Sequence, residues 1–291
     1  MIRNTLAVVI LALMAAASCA RTLSERHILW QVDGEDNTVY LLGSVHLLRQ
    51  EDYPLPEIYN IVYADAETLV MELDMDDLDP LQLQQHMMTS GLIADGGSLR
   101  KIMGDTMWAK AKKSADQLDI KLEMLDATEP WLAALTIVEL EMMKLGFDAA
   151  LGVEFHFLDR ARTDDKPVRG LETAEQQIAV FDELPLDTQS RFLLKTLDDA
   201  QTIEVGLDAL ITAWRSGNIE AMQDELIKGF DGFPQVYDTL VVQRNQAWTH
   251  DIVALLNDKD DYLIIVGALH LIGADSVLEQ LRKKGYSVNQ L

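Results

Sequence analysis

Cysteine is almost absent from this chain: among 291 residues, only position 19 carries one. Cys19 lies in an N-terminal stretch that we expect to be a targeting signal, so the folded domain has no pair of thiols for a disulfide. The same scarcity excludes a cysteine nucleophile and a thiolate metal site from the domain. A metal bound there would depend on histidine and carboxylate ligands.

Basic residues are also scarce, with 24 Lys and Arg against 48 Asp and Glu and a formal net charge of −24. A protein that binds nucleic acid through a basic face needs Lys and Arg for the phosphates, so we expect no nucleic-acid partner. The content of 48% hydrophobic and 25% charged residues is that of a globular protein. The excess acidic residues indicate a soluble acidic surface.

Several common catalytic motifs are missing. The sequence contains no HExxH helix and no phosphate-binding glycine loop. Ser44 is the only serine near a candidate site, and it does not stand in a GxSxG nucleophile elbow. A serine triad therefore finds no support, and histidine and carboxylate side chains are the candidates for a reactive site.

Residues 1–20 are predicted to be a signal peptide. Arg3 supplies positive charge, and the apolar run over residues 5–17 is too short to span a bilayer. Two processing routes stay open, because residues 16–19 resemble a bacterial lipobox while residues 18–20 also suit ordinary signal peptidase. The first route would lipidate Cys19 and attach the protein to a membrane. We expect export, to the periplasm or to a lipid-anchored position in a bacterial cell envelope.

The strongest signal for the fold is a motif that occurs twice. An apolar run, a glycine and then a histidine three residues later are found at residues 39–46 and again at residues 262–270. Such a run predicts a strand buried on both faces, as in a parallel sheet. The glycine lets the chain leave the strand, and the histidine follows the carboxyl end, where α/β sheets place ligands and catalytic groups.

The rest of the chain alternates between strand and helix patterns. Further strands are predicted at residues 27–33, 38–42, 68–74, 122–125, 166–172 and 285–289. From Ala174 to about Leu256 the periodicity predicts helix after helix. We therefore predict one α/β domain over residues 21–291. It has a central mixed, mostly parallel sheet flanked by helices, with a large helical insertion, about residues 174–256, before the last core strands.

Four polar residues stand at the ends of predicted buried strands: His46, Glu72, Glu172 and His270. Because parallel strands bring their carboxyl ends to one edge, we expect these side chains to converge. Two histidines with one or two carboxylates are a standard set for a divalent metal with an open coordination position. Such a metal activates water, and a carboxylate that is not a ligand could accept the proton.

Each residue also has a plainer explanation. A single GxxH is common by chance and could be structural, although its paired occurrence favours function. Glu72 could be a surface strand end, and Glu172 a charge favoured by the dipole of the next helix. His156 lies two residues after Glu154, so both cannot point the same way on a helix, and His156 is either a further ligand or a surface residue. Arg244 could bind a substrate carboxylate or pair with an acidic neighbour.

The motifs, taken in order, resemble those of the TraB/GumN family. They are GSVHLL (43–48), VMELD (70–74), GVEFHF (152–157), VRGLETAEQ (168–176), QRN (243–245) and VGALHLIG (266–273). The family includes the Tiki proteins, which resemble metal-dependent proteases acting near the N-terminus of secreted Wnt ligands. The resemblance extends from about His27 to the end of the chain.

This resemblance implies an α/β fold related to erythromycin esterases and haem-uptake ChaN-like proteins. It also implies that the two GxxH histidines and Glu72 form a metal site. His156, Glu172 and Arg244 fall on other recurring positions of the family. Gln243 stands where the family often has Glu before the Arg-Asn pair, and this departure weakens the inference for Arg244.

Three hypotheses of function follow. The first is an exported metal-dependent hydrolase, a peptidase that acts on a peptide or protein substrate and uses Mn, Co or Zn. Its candidate metal ligands are His46, Glu72, His270 and His156. Glu172 would be the general base or a further ligand, and Arg244 a substrate clamp. The second is a metal- or haem-binding protein without turnover, and the third an accessory protein in polysaccharide export or peptide signalling.

Overall fold

The computed structural model describes residues 26–94 and 96–291. The predicted signal peptide and Cys19 lie outside these residues. Among the described residues, no helix combines the length and apolar character needed to cross a membrane.

A six-stranded mixed sheet forms the centre of the fold. The strands are β1 (Leu29–Asp33), β2 (Thr38–Ser44), β3 (Thr68–Leu73), β4 (Val168–Glu172), β5 (Tyr262–Gly267) and β6 (Val288–Gln290). Their order across the sheet is β4-β3-β5-β2-β1-β6. The pairs β4–β3, β3–β5 and β5–β2 are parallel, whereas β1 pairs antiparallel with β2 and β6. The predicted mixed, mostly parallel sheet and the hairpin of β1 and β2 are confirmed.

Every connection between consecutive strands except the β1–β2 turn contains one or more helices. They are α1 (Glu57–Asp65), α2 (Pro80–Gly91), α3 (Leu99–Gln117), α4 (Pro130–Lys144), α5 (Val153–Thr163), α6 (Ala174–Asp182), α7 (Leu186–Asp199), α8 (Ile203–Arg215), α9 (Ile219–Lys228), α10 (Pro234–Tyr237), α11 (Arg244–Leu255) and α12 (Val277–Lys283). A π-helical segment, Asp238–Gln243, joins α10 to α11. Helices α6 to α11 lie between β4 and β5 in the chain, as the predicted insertion requires.

The main apolar core surrounds the two central strands. Every residue of β5 and all but Thr38 of β2 are buried, which is why both segments are continuous apolar runs in the sequence. Helices α1, α5, α8, α9, α11 and α12 contribute to this core. A second apolar cluster is built from α3, α4 and α7. Helices that precede β4 in the chain therefore pack against a helix that follows it, which was not predicted.

The predicted short strand at residues 122–125 was wrong. Leu122–Leu125 forms a 3₁₀ turn between α3 and α4. Leu122 is buried in the second apolar cluster, whereas Met124 is exposed, so one anchoring side chain rather than a strand face explains the apolar pattern. A run of four residues is too short for periodicity to separate a strand from a turn.

Candidate active site

The carboxyl edge of the sheet brings together five of the six predicted site residues. The strand order β4-β3-β5-β2 places Glu172, Glu72, His270 and His46 side by side in that sequence. Glu172 ends β4 and Glu72 lies in β3, while the two histidines follow β5 and β2. Arg244, at the start of α11, contacts both glutamates and His270. The predicted convergence is therefore what the fold produces.

Gly267, the glycine of the second motif, allows His46 and Glu72 to approach the end of β5. A Cβ atom at this position would lie 3.0 Å from His46 Nε2 and 3.3 Å from Glu72 Oε1. The backbone N–H of Gly267 donates to Glu72 Oε1 at 2.8 Å. The missing side chain thus leaves room for one imidazole and one carboxylate at the same point, a close approach that only glycine permits without displacement.

Glu154 orients His46. Its Oε1 atom lies 2.8 Å from His46 Nδ1 and also accepts a hydrogen bond from the Ser44 hydroxyl. Gly152 makes this possible, because a Cβ there would overlap the carbonyl oxygen of His46, and its absence lets the start of α5 reach the loop. With Nδ1 bound to a carboxylate, His46 directs Nε2 toward Gly267 and Glu72.

The charge of Glu154 raises the pKa of His46 to about 9, although partial burial acts in the opposite direction. In the metal-free protein, His46 is therefore an imidazolium at neutral pH. Burial alone would raise the pKa of Glu154, but the charge of His46 and the hydrogen bonds from His46 and Ser44 lower it below its ordinary value. The two side chains form an ion pair at the mouth of the site.

Arg244 is surrounded by partners on all sides. Its NH2 group donates to Glu72 Oε2 at 2.6 Å and to Glu172 Oε1 at 2.7 Å, and its Nε donates to Glu172 Oε2 at 3.0 Å. Its NH1 group donates to the carbonyl oxygen of Leu240 and to His270 Nε2, both at 3.1 Å. The guanidinium also stacks on the Trp248 ring at 4.5 Å. All five N–H groups are thus used within the protein.

His270 is buried and held in one tautomer. Its Nδ1 lies 2.7 Å from Asn245 Oδ1, and the Asn245 amide group in turn donates to the carbonyl oxygen of Asp275 at 2.9 Å. This network assigns the proton to Nδ1 and the lone pair to Nε2, which accepts from Arg244. Burial lowers the pKa of His270 to about 3, so it is neutral at any ordinary pH.

The two glutamates differ in their tendency to bind a proton. Burial alone would raise the pKa of Glu72, but neighbouring positive charge from His270, His46 and Arg244 and the Gly267 N–H lower it to about 2. Since His270 is uncharged above about pH 3, His46 and Arg244 supply this charge at neutral pH. Burial raises the pKa of Glu172 above its ordinary value despite its contact with Arg244.

Gln177 bridges the glutamates. Its side-chain amide donates to Glu72 Oε2 and to Glu172 Oε1, at 3.1 Å each. It lies on α6, whose start is capped by the Thr173 hydroxyl. Glu172 precedes that cap and binds Arg244 in bidentate fashion, so its carboxylate has a specific partner beyond the helix dipole.

His156 is not brought into this group. Its ring packs against Tyr53 and Phe157, with centroids 5.6 and 4.9 Å apart. Of the two candidates in the GVEFHF motif, Glu154 faces His46, and a helical step of two residues turns His156 to another side. Glu154 and Asn245 were not predicted to be site residues, although they belong to the motifs GVEFHF (152–157) and QRN (243–245).

A cleft of about 450 Å³ opens beside the site. His46, Glu72, Glu154, Gln177 and Arg244 form its polar side. The other lining residues are apolar: Leu47, Met71, Leu73, Met75, Ala149, Phe155, Val180, Phe181 and Leu240. The only cation besides His46 in this lining is Arg244, whose N–H groups all have protein partners. The cleft therefore suits an uncharged apolar group next to a polar reacting centre.

Imidazole nitrogens and carboxylate oxygens at the sheet edge are suitable ligands for a divalent metal, but they are not arranged around one point. Across residues 26–94 and 96–291, no three His, Cys, Asp or Glu side chains stand together as a metal-binding group. His46 Nε2 and Glu72 Oε1 do approach one another at Gly267, and both histidines have the Nδ1 anchoring typical of metal ligands. The third donor, His270 Nε2, is engaged by Arg244.

Comparison with known proteins gives one family. A sequence model of the TraB/PrgY/gumN family matches residues 28–290. Proteins named YbaP from Escherichia coli (strain K12) and Shigella flexneri are each 26% identical over 243 residues, which cover 84% of this chain and 87% of theirs. A protein named metalloprotease TIKI homolog, from Amphimedon queenslandica, is 31% identical over 83 residues, or 28% of this chain and 14% of its own. No solved structure matches.

Proposed function

The chain belongs to the TraB/PrgY/gumN family, and from that premise we propose that it is a metal-dependent hydrolase that cleaves peptide bonds. The observation that carries the proposal is the convergence of two histidines and two glutamates at one edge of the sheet, where His46 and Glu72 line a mostly apolar cleft. The partial match to a protein named as a TIKI metalloprotease homolog supports the same class of reaction.

His46, Glu72 and His270 are the proposed metal ligands, with Mn, Co or Zn as the ion. A divalent ion held there would polarise a substrate carbonyl and lower the pKa of a bound water. To serve as a ligand, His46 must release the proton that Glu154 stabilises, while Glu154 keeps the ring in place through Nδ1. His270 is already neutral and oriented by Asn245.

Glu172 is the proposed general base. Burial raises its pKa, so it can accept a proton closer to neutral pH than an ordinary glutamate. Gln177 and Arg244 fix its position. Arg244 places positive charge beside the reacting centre, where it can stabilise negative charge that develops on a substrate oxygen. In its predicted role as a clamp, a substrate carboxylate would have to replace one of its present partners.

The proposed substrate is a peptide segment with a bulky apolar side chain next to the scissile bond. The cleft offers Phe155, Phe181 and Leu240 to such a side chain and no unpaired cation to an acidic one. His156 stays a prediction as a further ligand. Export, with retention in the periplasm or attachment through lipidated Cys19, is likewise a proposal, and the mass of the mature N-terminus tests it.

The proposal is tested by metal content and peptide hydrolysis of the chain from residue 21 onward. We expect about one divalent metal per chain, together with cleavage of apolar-rich peptides. His46→Ala and His270→Ala should lose both. His250→Ala is the matched control, because this histidine is exposed and contacts only Asp251, so both properties should persist. Failure of the wild type to bind Mn, Co or Zn would refute a metallohydrolase, and metal binding without hydrolysis would favour the binding-only alternative.

A further inference from the structure

Arg244 directs its N–H groups at two of the proposed metal ligands, Glu72 and His270. Its NH2 group lies 2.6 Å from Glu72 Oε2, and its NH1 group lies 3.1 Å from His270 Nε2. The lone pair on His270 Nε2 is the only one this ring can offer, because Nδ1 is bound to Asn245. A guanidinium N–H that donates to this lone pair therefore excludes a second cation from the same atom.

Arg244 and a divalent metal ion are alternative sources of positive charge for the buried carboxylate of Glu72. The side chains of Glu72 and Arg244 are each 11% exposed and that of Glu172 is 7% exposed, so their charges are largely removed from water. Buried carboxylates need a positive partner, and Arg244 is that partner for both glutamates. A divalent ion would supply the same compensation to Glu72. A guanidinium and a metal ion at contact distance from one carboxylate would repel each other.

The contacts of Arg244 divide into two sets. Nε and one NH2 hydrogen form a bidentate pair with Glu172, while the other NH2 hydrogen and NH1 serve Glu72, His270 and Leu240. The pair with Glu172 does not depend on the second set. Arg244 also follows directly on the π-helical segment Asp238–Gln243, a rare backbone form that occurs frequently at functional sites.

We propose that Arg244 is an internal cation that competes with a divalent metal for Glu72 and His270 and thereby sets the metal affinity of the site. This inference rests on the proposed function, because it takes those two residues as metal ligands. Arg244 is a positioning residue in this role. It keeps the donor atoms compensated when no metal is bound, and metal must displace its hydrogen bonds to bind.

The test is the affinity for Mn²⁺ of the full mature chain after treatment with a chelator, measured by isothermal titration calorimetry. Arg244→Gln removes the charge and keeps a side chain able to hydrogen-bond. We expect its Kd for Mn²⁺ to be at least tenfold lower than that of the wild type. Thermal unfolding is a second readout: the variant should have a lower Tm than the wild type without metal and a larger rise in Tm with Mn²⁺.

Arg160→Gln is the matched control. Arg160 also stacks on an aromatic ring, 4.2 Å above Tyr63, and hydrogen-bonds to Asn60 rather than to a site carboxylate. Its removal changes net charge by the same amount and should leave the Kd for Mn²⁺ unchanged. If Arg244→Gln does not fold, Arg244→Lys replaces it. Its Kd should lie between those of the wild type and the expected Gln variant, because an ammonium has three N–H donors for the five hydrogen bonds that Arg244 makes.

The outcomes separate this inference from the proposed function. If the wild type binds Mn²⁺ and the Arg244 variant binds it equally or more weakly, the competition is refuted and the proposed function stands. If neither binds Mn²⁺ even at millimolar concentration, both are refuted. Binding by the variant alone would support the competition and refute the proposed function, because the arginine would keep Mn²⁺ from the wild-type site.

Discussion

His46 and His270 follow equivalent motifs on two neighbouring parallel strands, yet their surroundings are opposite. The His46 side chain is 59% exposed and bound to a carboxylate, which raises its pKa to about 9. His270 is 5% exposed, bound to a neutral amide and an arginine, and burial lowers its pKa to about 3. The same local sequence therefore yields one charged and one neutral imidazole, because the partners come from different helices.

The pairing of the strands adds to this difference. Gly43 of the first motif pairs with Val266, while Gly267 of the second pairs with Ser44, so the motifs are offset by one residue. Such an offset changes which neighbours each glycine meets. Gly43 faces Ile28 and Ala268 in the core, and Gly267 faces His46 and Glu72 in the site. Gly43 therefore allows close packing in the core, whereas Gly267 leaves space for two side chains of the candidate site.

The largest effect is expected where the neutral partner of His270 becomes charged. Asn245→Asp would give this histidine a carboxylate partner like that of His46, and an opposite charge at contact distance raises a pKa by about 1–3 units. We expect the pKa of His270 to rise from about 3 by that amount, as measured by NMR titration with a chelator present. Asn245→Ala, which removes the anchor without adding charge, should not raise it.

The same substitution tests the linkage to stability. In the wild type, unfolded His270 takes up a proton near pH 6.5 and the folded form only near pH 3, so the free energy of unfolding falls as pH decreases across this window. In Asn245→Asp, the higher pKa of folded His270 should confine this pH-dependent loss of stability to a narrower range, between the raised pKa of the folded form and 6.5. An unchanged pH dependence of urea denaturation would contradict the assignment.

Glu154→Gln is expected to have the next largest effect. It removes the charge that raises the pKa of His46 from 6.5 to about 9. Because the imidazole is more than half exposed, screening by water reduces the change, and we expect a fall of about 1–2 units. NMR titration of the protein in the presence of a chelator measures it. A His46 pKa that stays near 9 would show that another group supports it.

The two motif glycines are expected to differ in what their substitution disturbs. In Gly43→Ala, the new methyl group would overlap the Ile28 side chain and lie 3.1 Å from Ala268 Cα, which should destabilise the fold by about 2–3 kcal/mol. Gly267→Ala would displace the His46 and Glu72 side chains, so metal affinity should fall with a smaller loss of stability. Urea denaturation and Mn²⁺ titration of both variants measure this, and equal effects on both properties would remove the distinction.

The smallest effect on stability is expected from substitution of a tryptophan, since one tryptophan contacts each GxxH motif. Trp214 donates its indole N–H to the carbonyl oxygen of Gly43 at 2.8 Å, whereas Trp248 packs on His270 with ring centroids 4.5 Å apart. Trp214→Phe leaves that carbonyl without its partner and should cost about 1–2 kcal/mol of stability. Because the contact lies in the core behind β2, the Mn²⁺ affinity should not change. A weakened metal site would mean that this hydrogen bond also positions His46.

Much of the fold could be predicted because its signals are local. Continuous apolar runs identified β2, β3 and β5, and the turn residues between positions 33 and 38 identified the hairpin. The convergence of strand ends follows from parallel topology alone, so the meeting of Glu72, Glu172 and the two histidines was predictable without any side-chain detail.

The hydrogen-bonding partners of these residues could not be predicted from sequence patterns. Glu154 reaches His46 across 108 residues of chain, and Arg244 reaches Glu72 across 172. Such contacts depend on how α5 and α11 pack on the sheet, which no periodicity records. The protonation of each histidine follows from those partners, so a sequence motif that names a histidine does not yet say whether it is a cation or a neutral base.

The position of β5 in the sheet also determines when the candidate site can assemble during synthesis. This strand lies between β3 and β2 in the sheet, although it follows β2, β3 and β4 in the chain. Until β5 has been synthesised, β3 and β2 have no strand between them, and contacts between segments so far apart in the chain form slowly. A nascent polypeptide that lacks β5 therefore carries His46, Glu72, Glu172 and Arg244 without the strand that brings them to one edge of the sheet.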